Sequence, residues 1–238
     1  MSAAAAAVAA PSVYSGGASV IALGVLLAEF GMFRQALIRD QVRLYAVQSA
    51  LISVLAILVA AVRHLPDLYV LAALSAALKV VIVPIVLRRL LRGVGRAGKD
   101  GPAPGWTEIA GSGSLSLANT VLLAIAVAAF GFFSARALGI HSAVLPLTAL
   151  EISVSVVLVA FVLMIMRRDV ASQAIGFLSL ENGISLAALV IAAGLPLILE
   201  VAFLFDLLVA VVVFELLIRV HRGRAESLST ADLTSLRG

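Results

Sequence analysis

Residues 143–166, AVLPLTALEISVSVVLVAFVLMIM, are 24 consecutive positions with a single charge, Glu151. At ~1.5 Å per residue a helix of that length reaches about 36 Å, more than the ~30 Å hydrocarbon core of a bilayer. The stretch predicts a membrane-spanning helix, and it is not alone. Runs of the same kind precede it at Gly17 to Leu37, Val42 to Val62, Leu68 to Leu90 and Ser116 to Arg136, and follow it at Ala171 to Ala193 and Leu197 to Val220. The expected fold is all-α, a polytopic membrane protein of about seven transmembrane helices. Composition agrees: 63% of the 238 residues are hydrophobic, against roughly 45–50% in soluble domains, and mean hydropathy is +1.16. A soluble enzyme is excluded by this, and an outer-membrane barrel by the length of the runs, since barrel strands alternate over ~10 residues. With no cysteine there is no disulfide, thiolate nucleophile or iron–sulfur cluster. Three scattered histidines do not suggest a metal or haem site. No catalytic, cofactor-binding or metal residue is expected, and any electron chemistry belongs to a partner.

Basic residues set the expected orientation. Alternating the loops across seven spans puts Arg34, Arg39, Arg43, Arg88, Arg89, Arg92, Arg96, Lys99, Arg167, Arg168, Arg219, Arg222, Arg224 and Arg237 on one side, and Arg63 and Arg136 on the other. Lys79 stays within a span. By the positive-inside rule the crowded side is cytoplasmic. The expected location is a prokaryotic cytoplasmic membrane, with the N-terminus outside and the C-terminus inside. A formal net charge of +4 follows from this bias and the neighbouring anionic lipids, and makes no case for nucleic acid.

The chain divides into a mobile leader (1–16), helices one to three (17–92), a Gly- and Pro-rich cytoplasmic linker with Trp106 (93–115), helix four (116–136), helices five to seven (143–220) and a cytoplasmic tail (221–238). The leader's Ala3 to Ala10 run lacks the basic start of a signal peptide and meets Pro11 where cleavage would fall. Helix one ends in Leu37-Ile38-Arg39-Asp40 and helix five in Met166-Arg167-Arg168-Asp169, an offset of 129 residues. An odd helix between two three-helix units gives both the same orientation, as in a parallel repeat.

The chemistry of the chain lies in ionisable residues inside the spans, each costing roughly 2.5–3.5 kcal/mol on insertion scales. Glu29, Lys79, Glu181 and Asp206 fall near the middles of helices one, three, six and seven, and Glu151 about one turn from the middle of helix five. A lateral path of titratable groups requires a shared depth of this kind. Lys79 paired with Glu29 or Glu181 could equally be a static salt bridge that fixes packing. Five buried acids, counting Glu215, face one lysine, so some carboxyls must be neutral or hydrated. Desolvation favours the neutral carboxyl and a nearby lysine the ionised one, which together let a row of such groups take up and release protons. Glu215 and Arg219 read as an i,i+4 pair. Glu200 reaches an interface, Pro84 and Pro146 kink helices, and His64, His141 and His221 sit at span ends. Helix four, with Asn119 and Thr120 but no central charge, is expected to pack.

Four stretches resemble component E of hydrogenase-4, a membrane subunit of group 4 nickel–iron hydrogenase-like complexes. They are Arg43-Leu44-Tyr45-Ala46-Val47-Gln48-Ser49, Leu78-Lys79-Val80-Val81-Ile82-Val83-Pro84, Leu180-Glu181-Asn182-Gly183-Ile184, and Gly194-Leu195-Pro196 with Leu204-Phe205-Asp206-Leu207-Leu208-Val209. From Ala143 to Gly238 the chain is also similar to the K-type subunit of complex I and the C-type subunit of multisubunit cation antiporters, through Arg167-Arg168-Asp169 and the basic tail. Aligned on those basic residues, Glu181 falls about one turn later and Asp206 about one turn earlier than that family's carboxylates.

The resemblance implies a non-catalytic membrane-arm subunit of a hydrogenase-4-like or complex-I-like oxidoreductase, without cofactors of its own. Its implied partners are antiporter-like and other membrane subunits with hydrogenase-like or quinone-oxidoreductase-like cytoplasmic subunits. Glu181 and Asp206 would carry protons, Lys79 would modulate them, and Glu151 and Glu29 would link toward neighbours. The alternative is a secondary transporter or cation/proton antiporter component, with helix breaks at Gly176 to Gly183 or Gly194 to Pro196.

Overall fold

Local signals punctuate the helices. Leu37, in extended backbone at φ −97° and ψ 125°, separates α1 (Ser12–Arg34) from α2 (Ile38–Arg63). His64 ends α2 in the left-handed region at φ 54°, its N–H donating to the Ala60 carbonyl. Pro66 then opens α3 (Pro66–Ser75), where its missing N–H costs no helical bond. A π-helical stretch, Ala76–Ile82, joins α3 to α4 (Val83–Val94) in one continuous span. The remaining helices are α5 (Leu117–Ala137), α6 (Leu147–Met166), which starts after Pro146, and α7 (Val170–Ile191). This computed structural model describes residues 12–35, 37–94, 117–139, 145–167 and 170–191, together with Leu204, Leu208, Val211, Val212 and Glu215, each of them helical.

Among the described residues the fold is all-α, and six helices are long and apolar enough to cross a membrane: Tyr14–Arg34, Ile38–Arg63, Pro66–Arg89, Ala118–Ala137, Leu147–Met166 and Ala171–Ile191. They make the chain a multi-pass membrane protein. The expected leader is too long at its C-terminal end, because α1 begins at Ser12; Tyr14 is buried against the core and Ser19 bonds back to the Ser15 carbonyl. Residues 1–11, most of the linker, the expected span 197–220 apart from the five positions above, and the tail lie outside the described residues.

In lipid, helices associate through close packing rather than through water exclusion, so small residues mark their contacts. Ala18, Ala22, Ala56, Ala60, Ala72 and Ala149 are buried together in one core cluster. Large side chains such as Leu27, Phe130, Phe133 and Ile165 point outward, as a lipid-facing surface requires. Helix α5 packs on α6, with Ser155 Oγ donating to the Ala128 carbonyl at 2.8 Å.

Helices of the two three-helix units pack against one another in parallel. Helix α1 packs on α6 and α2 on α7. Ser19 Oγ and Thr148 Oγ1 meet at 3.0 Å near the starts of α1 and α6, and Arg167, past the end of α6, donates to the Phe33 carbonyl at the end of α1. Ser172 donates to Gln41 near the starts of α7 and α2. Ser19 and Thr148 are themselves 129 residues apart, the offset between the two Asp-terminated turns.

Candidate functional site

Proline 84 shapes the middle of the third span. It has no N–H to donate and its ring crowds the carbonyl one turn earlier, and the turn before it widens: the Val83 N–H reaches five residues back to the Leu78 carbonyl. The sequence suggested a kink here, and the structure opens the turn into a π-helical one, a form that recurs at functional sites. Lys79 lies at the centre of this stretch with its side chain 4% exposed. Its ammonium is 2.5 Å from Glu181 Oε1 and 3.0 Å from Ser185 Oγ on α7, and the Ser185 hydroxyl lies 3.3 Å from the same carboxylate oxygen. Glu181 and Ser185 can share one cation because four residues on a helix return to one face.

A cavity of about 80 Å³ opens beside this pair. Ser53 of α2, Ser75 of α3, Lys79, Glu181, Ser185 and Leu204 are among its lining residues. A water needs roughly 10–15 Å³ of such space and two or more polar partners, so several fit.

Next to the ion pair lies a fully enclosed polar layer. Glu29 of α1, Gln48 of α2, and Ser179 and Asn182 of α7 are all 0% exposed. Gln48 Nε2 donates to Glu29 Oε2 at 2.8 Å, and Ser179 Oγ contacts the same oxygen and also Gln48 Oε1. Asn182 Nδ2 donates to Gln48 Oε1 and to Ser49 Oγ, both at 2.9 Å. Ser179 and Asn182 flank Glu181 in sequence, so α7 presents one face to Glu29 and the adjoining face to Lys79.

Of the expected row of charges, Lys79 and Glu181 are therefore paired, and Glu29 lies beside them at the depth of Ser179. Glu29 and Glu151 were expected to reach toward neighbouring subunits, but both are buried within the chain, at 0% and 2% exposure. Glu151 is also displaced in depth. Helix α6 begins at Leu147 rather than 143, and the Ser19–Thr148 contact sets the register with α1, leaving Glu151 about 10 Å from Glu29 along the helix axes. Among the described residues its basic neighbour is Arg136, with Nε at 4.0 Å on the exposed end of α5. The helix break anticipated at Gly176 to Gly183 is absent, since α7 is continuous and these glycines sit where α6 comes close. Glu215 is helical and half-buried, and His64 is exposed in its turn. Asp206, Glu200, Arg219, His141, His221 and the Gly194 to Pro196 turn lie outside the described residues.

The neutral members of the site were not singled out from the sequence. Gln41, Tyr45, Gln48 and Ser49 recur at spacings of four, three and one along α2, a polar stripe on an otherwise apolar span. In a membrane helix such a stripe turns inward, and this was the available signal.

No family model and no solved structure matches this chain. Among curated proteins it is similar to the uncharacterized protein Rv0085 of Mycobacterium tuberculosis, 41% identical over 92 residues, 38% of this chain and 40% of that protein. The chain spans less than half the length of the curated relative it matches.

Proposed function

We propose that this chain is a non-catalytic membrane-arm subunit of a hydrogenase-4-like or complex-I-like oxidoreductase, where it contributes to a proton-translocation path. The observation that carries this reading is the buried Lys79–Glu181 pair at a π-helical turn, open to a cavity with room for water. Static packing needs neither the cavity nor the wide turn. In this reading Lys79 and Glu181 exchange a proton through the cavity water and Glu29 forms the next site inward from α7. Asp206, which lies outside the described residues, is assigned to the same path by its place in the sequence, and Glu151 lies toward the outer end. The C-terminal three-helix unit is similar to the K-type subunit of complex I. Redox centres reside in cytoplasmic partners, and antiporter-like subunits continue the path through the membrane.

Affinity isolation in mild detergent is expected to recover the chain with larger membrane subunits and a hydrogenase-like or quinone-oxidoreductase-like cytoplasmic module, identified by mass spectrometry. A stable, active monomer would remove the proposal. The chain sits in a prokaryotic cytoplasmic membrane with seven spans, N-terminus outside and C-terminus inside. Reporter fusions at Gly101 and at the C-terminus should both read cytoplasm; opposite faces would mean a miscounted span.

The cavity also favours a second reading, a self-contained secondary transporter or a cation/proton antiporter component. The unbroken α7 counts against it. Ion or solute movement by the purified chain alone in liposomes would select it.

A further inference from the structure

Among the described residues Glu29 has no basic partner of its own. Lys79 is held by Glu181 and Ser185, and Arg167 donates to the carbonyls of Phe33 and Gln35. Among the described residues no basic side chain lies within ion-pair distance of Glu29. A buried charge is normally paired or neutralised, and none of the described basic groups does this for Glu29.

Hydrogen counting points the same way. Gln48 Nε2 has two hydrogens, directed at Glu29 Oε2 and, at 3.4 Å, the Val25 carbonyl. Asn182 Nδ2 has two, engaged by Gln48 Oε1 and Ser49 Oγ. The Ser179 hydroxyl has one hydrogen and touches two acceptors, Glu29 Oε2 and Gln48 Oε1. Glu29 Oε1 and Asn182 Oδ1 are buried with no donor among the described residues. Every amide hydrogen is engaged, and the hydroxyls of Ser49 and Tyr45 reach neither of the two orphaned oxygens.

We propose that Glu29, Gln48, Ser179 and Asn182 form a buried binding site for one monovalent cation, a proton or a sodium ion. A proton on Glu29 makes the carboxyl a donor to Ser179 Oγ and leaves the Ser179 hydrogen for Gln48 Oε1, so both contacts become hydrogen bonds. A sodium ion draws on the same set of carboxylate, hydroxyl and amide oxygens, which is hard-cation chemistry. The ionisable groups packed around the site are Tyr45 on α2 and the Lys79–Glu181 pair, with Glu151 of α6 about 10 Å away in depth. The site deepens the proton-path reading and rests on that reading for its role in turnover, though not for its occupancy.

The test uses the intact complex in native membranes treated with dicyclohexylcarbodiimide, which couples to protonated carboxyls in apolar surroundings. Modification of Glu29 is read by peptide mass spectrometry from acid to alkaline pH, in sodium or potassium chloride. The adduct is expected at acid pH and several-fold less at alkaline pH, and it disappears in Glu29→Gln, which has the shape of the protonated acid. Protection by sodium but not potassium assigns a sodium ion, and equal labelling in both salts assigns the proton. No adduct at any pH, or one that changes with neither pH nor sodium, overturns the site. Vesicle proton translocation is measured on the same membranes: pumping without a Glu29 adduct removes the site and leaves the path, and a cation-sensitive adduct without pumping does the reverse.

Discussion

Lys79→Met, with Glu181 left in place, is expected to remove most of the assembled protein, at a cost of about 3–5 kcal/mol. The figure applies because the pair is buried, with side chains 4% and 13% exposed, so solvent screens the remaining carboxylate little. Ser185 then offers Glu181 a single hydrogen in place of an ammonium. The double variant Lys79→Met/Glu181→Met is expected to recover assembly, since well-packed apolar residues commonly replace a buried pair at little or no loss. It should not recover proton translocation. This separation of assembly from transport distinguishes a working pair from a packing one. Subunit content of the isolated complex reads the first, and proton uptake into vesicles driven by the complex's own electron donor reads the second. Wild-type pumping by the assembled double variant would end the assignment of Lys79 and Glu181 to the path. A double variant as poorly assembled as Lys79→Met would show instead that the charges specify the packing of the third span on α7.

These residues were legible in the sequence because charge within an apolar run is conspicuous, and their helices because run length alone marks a span. Their partners were harder to read. A lysine at position 79 could reach Glu29 or Glu181 on depth alone, and the choice turns on helix rotation, which the widened turn before Pro84 alters. Depth shifted where boundaries moved: with four residues trimmed from the start of helix five, Glu151, read as about one turn from the middle, lies further toward the helix start. The polar layer around Glu29 was missed for another reason. Gln48, Ser179 and Asn182 are unremarkable singly, and their meaning comes from the parallel packing of α1 on α6 and α2 on α7, which brings residues some 130 positions apart into contact.

The close approach of α6 to α7 holds this layer in place, and Gly183→Ala is expected to weaken it by about 1–3 kcal/mol through overpacking. A Cβ at position 183 would lie 2.7 Å from Val157 Cγ2, 3.0 Å from the Val157 backbone nitrogen and 3.2 Å from Val156 Cγ1. The first contact is a side chain that can be removed and the second is backbone that cannot. Val157→Ala in the same chain should therefore restore part of the loss, with the residue set by the backbone contact. Gly16 is the control, because a Cβ there meets nothing within 4 Å and α1 should gain slightly from alanine's better helix propensity. Since Ser179, Glu181, Asn182 and Ser185 all project from α7, moving it off α6 disturbs the Glu29 layer and the Lys79 pair together. Thermal unfolding of the isolated complex should fall for Gly183→Ala, rise part of the way back with Val157→Ala, and stay unchanged or rise for Gly16→Ala. Gly183→Ala unfolding with wild type would mean that the two helices do not pack this closely in the folded protein, and the hydrogen-bonded layer that depends on their separation would lose its geometric basis.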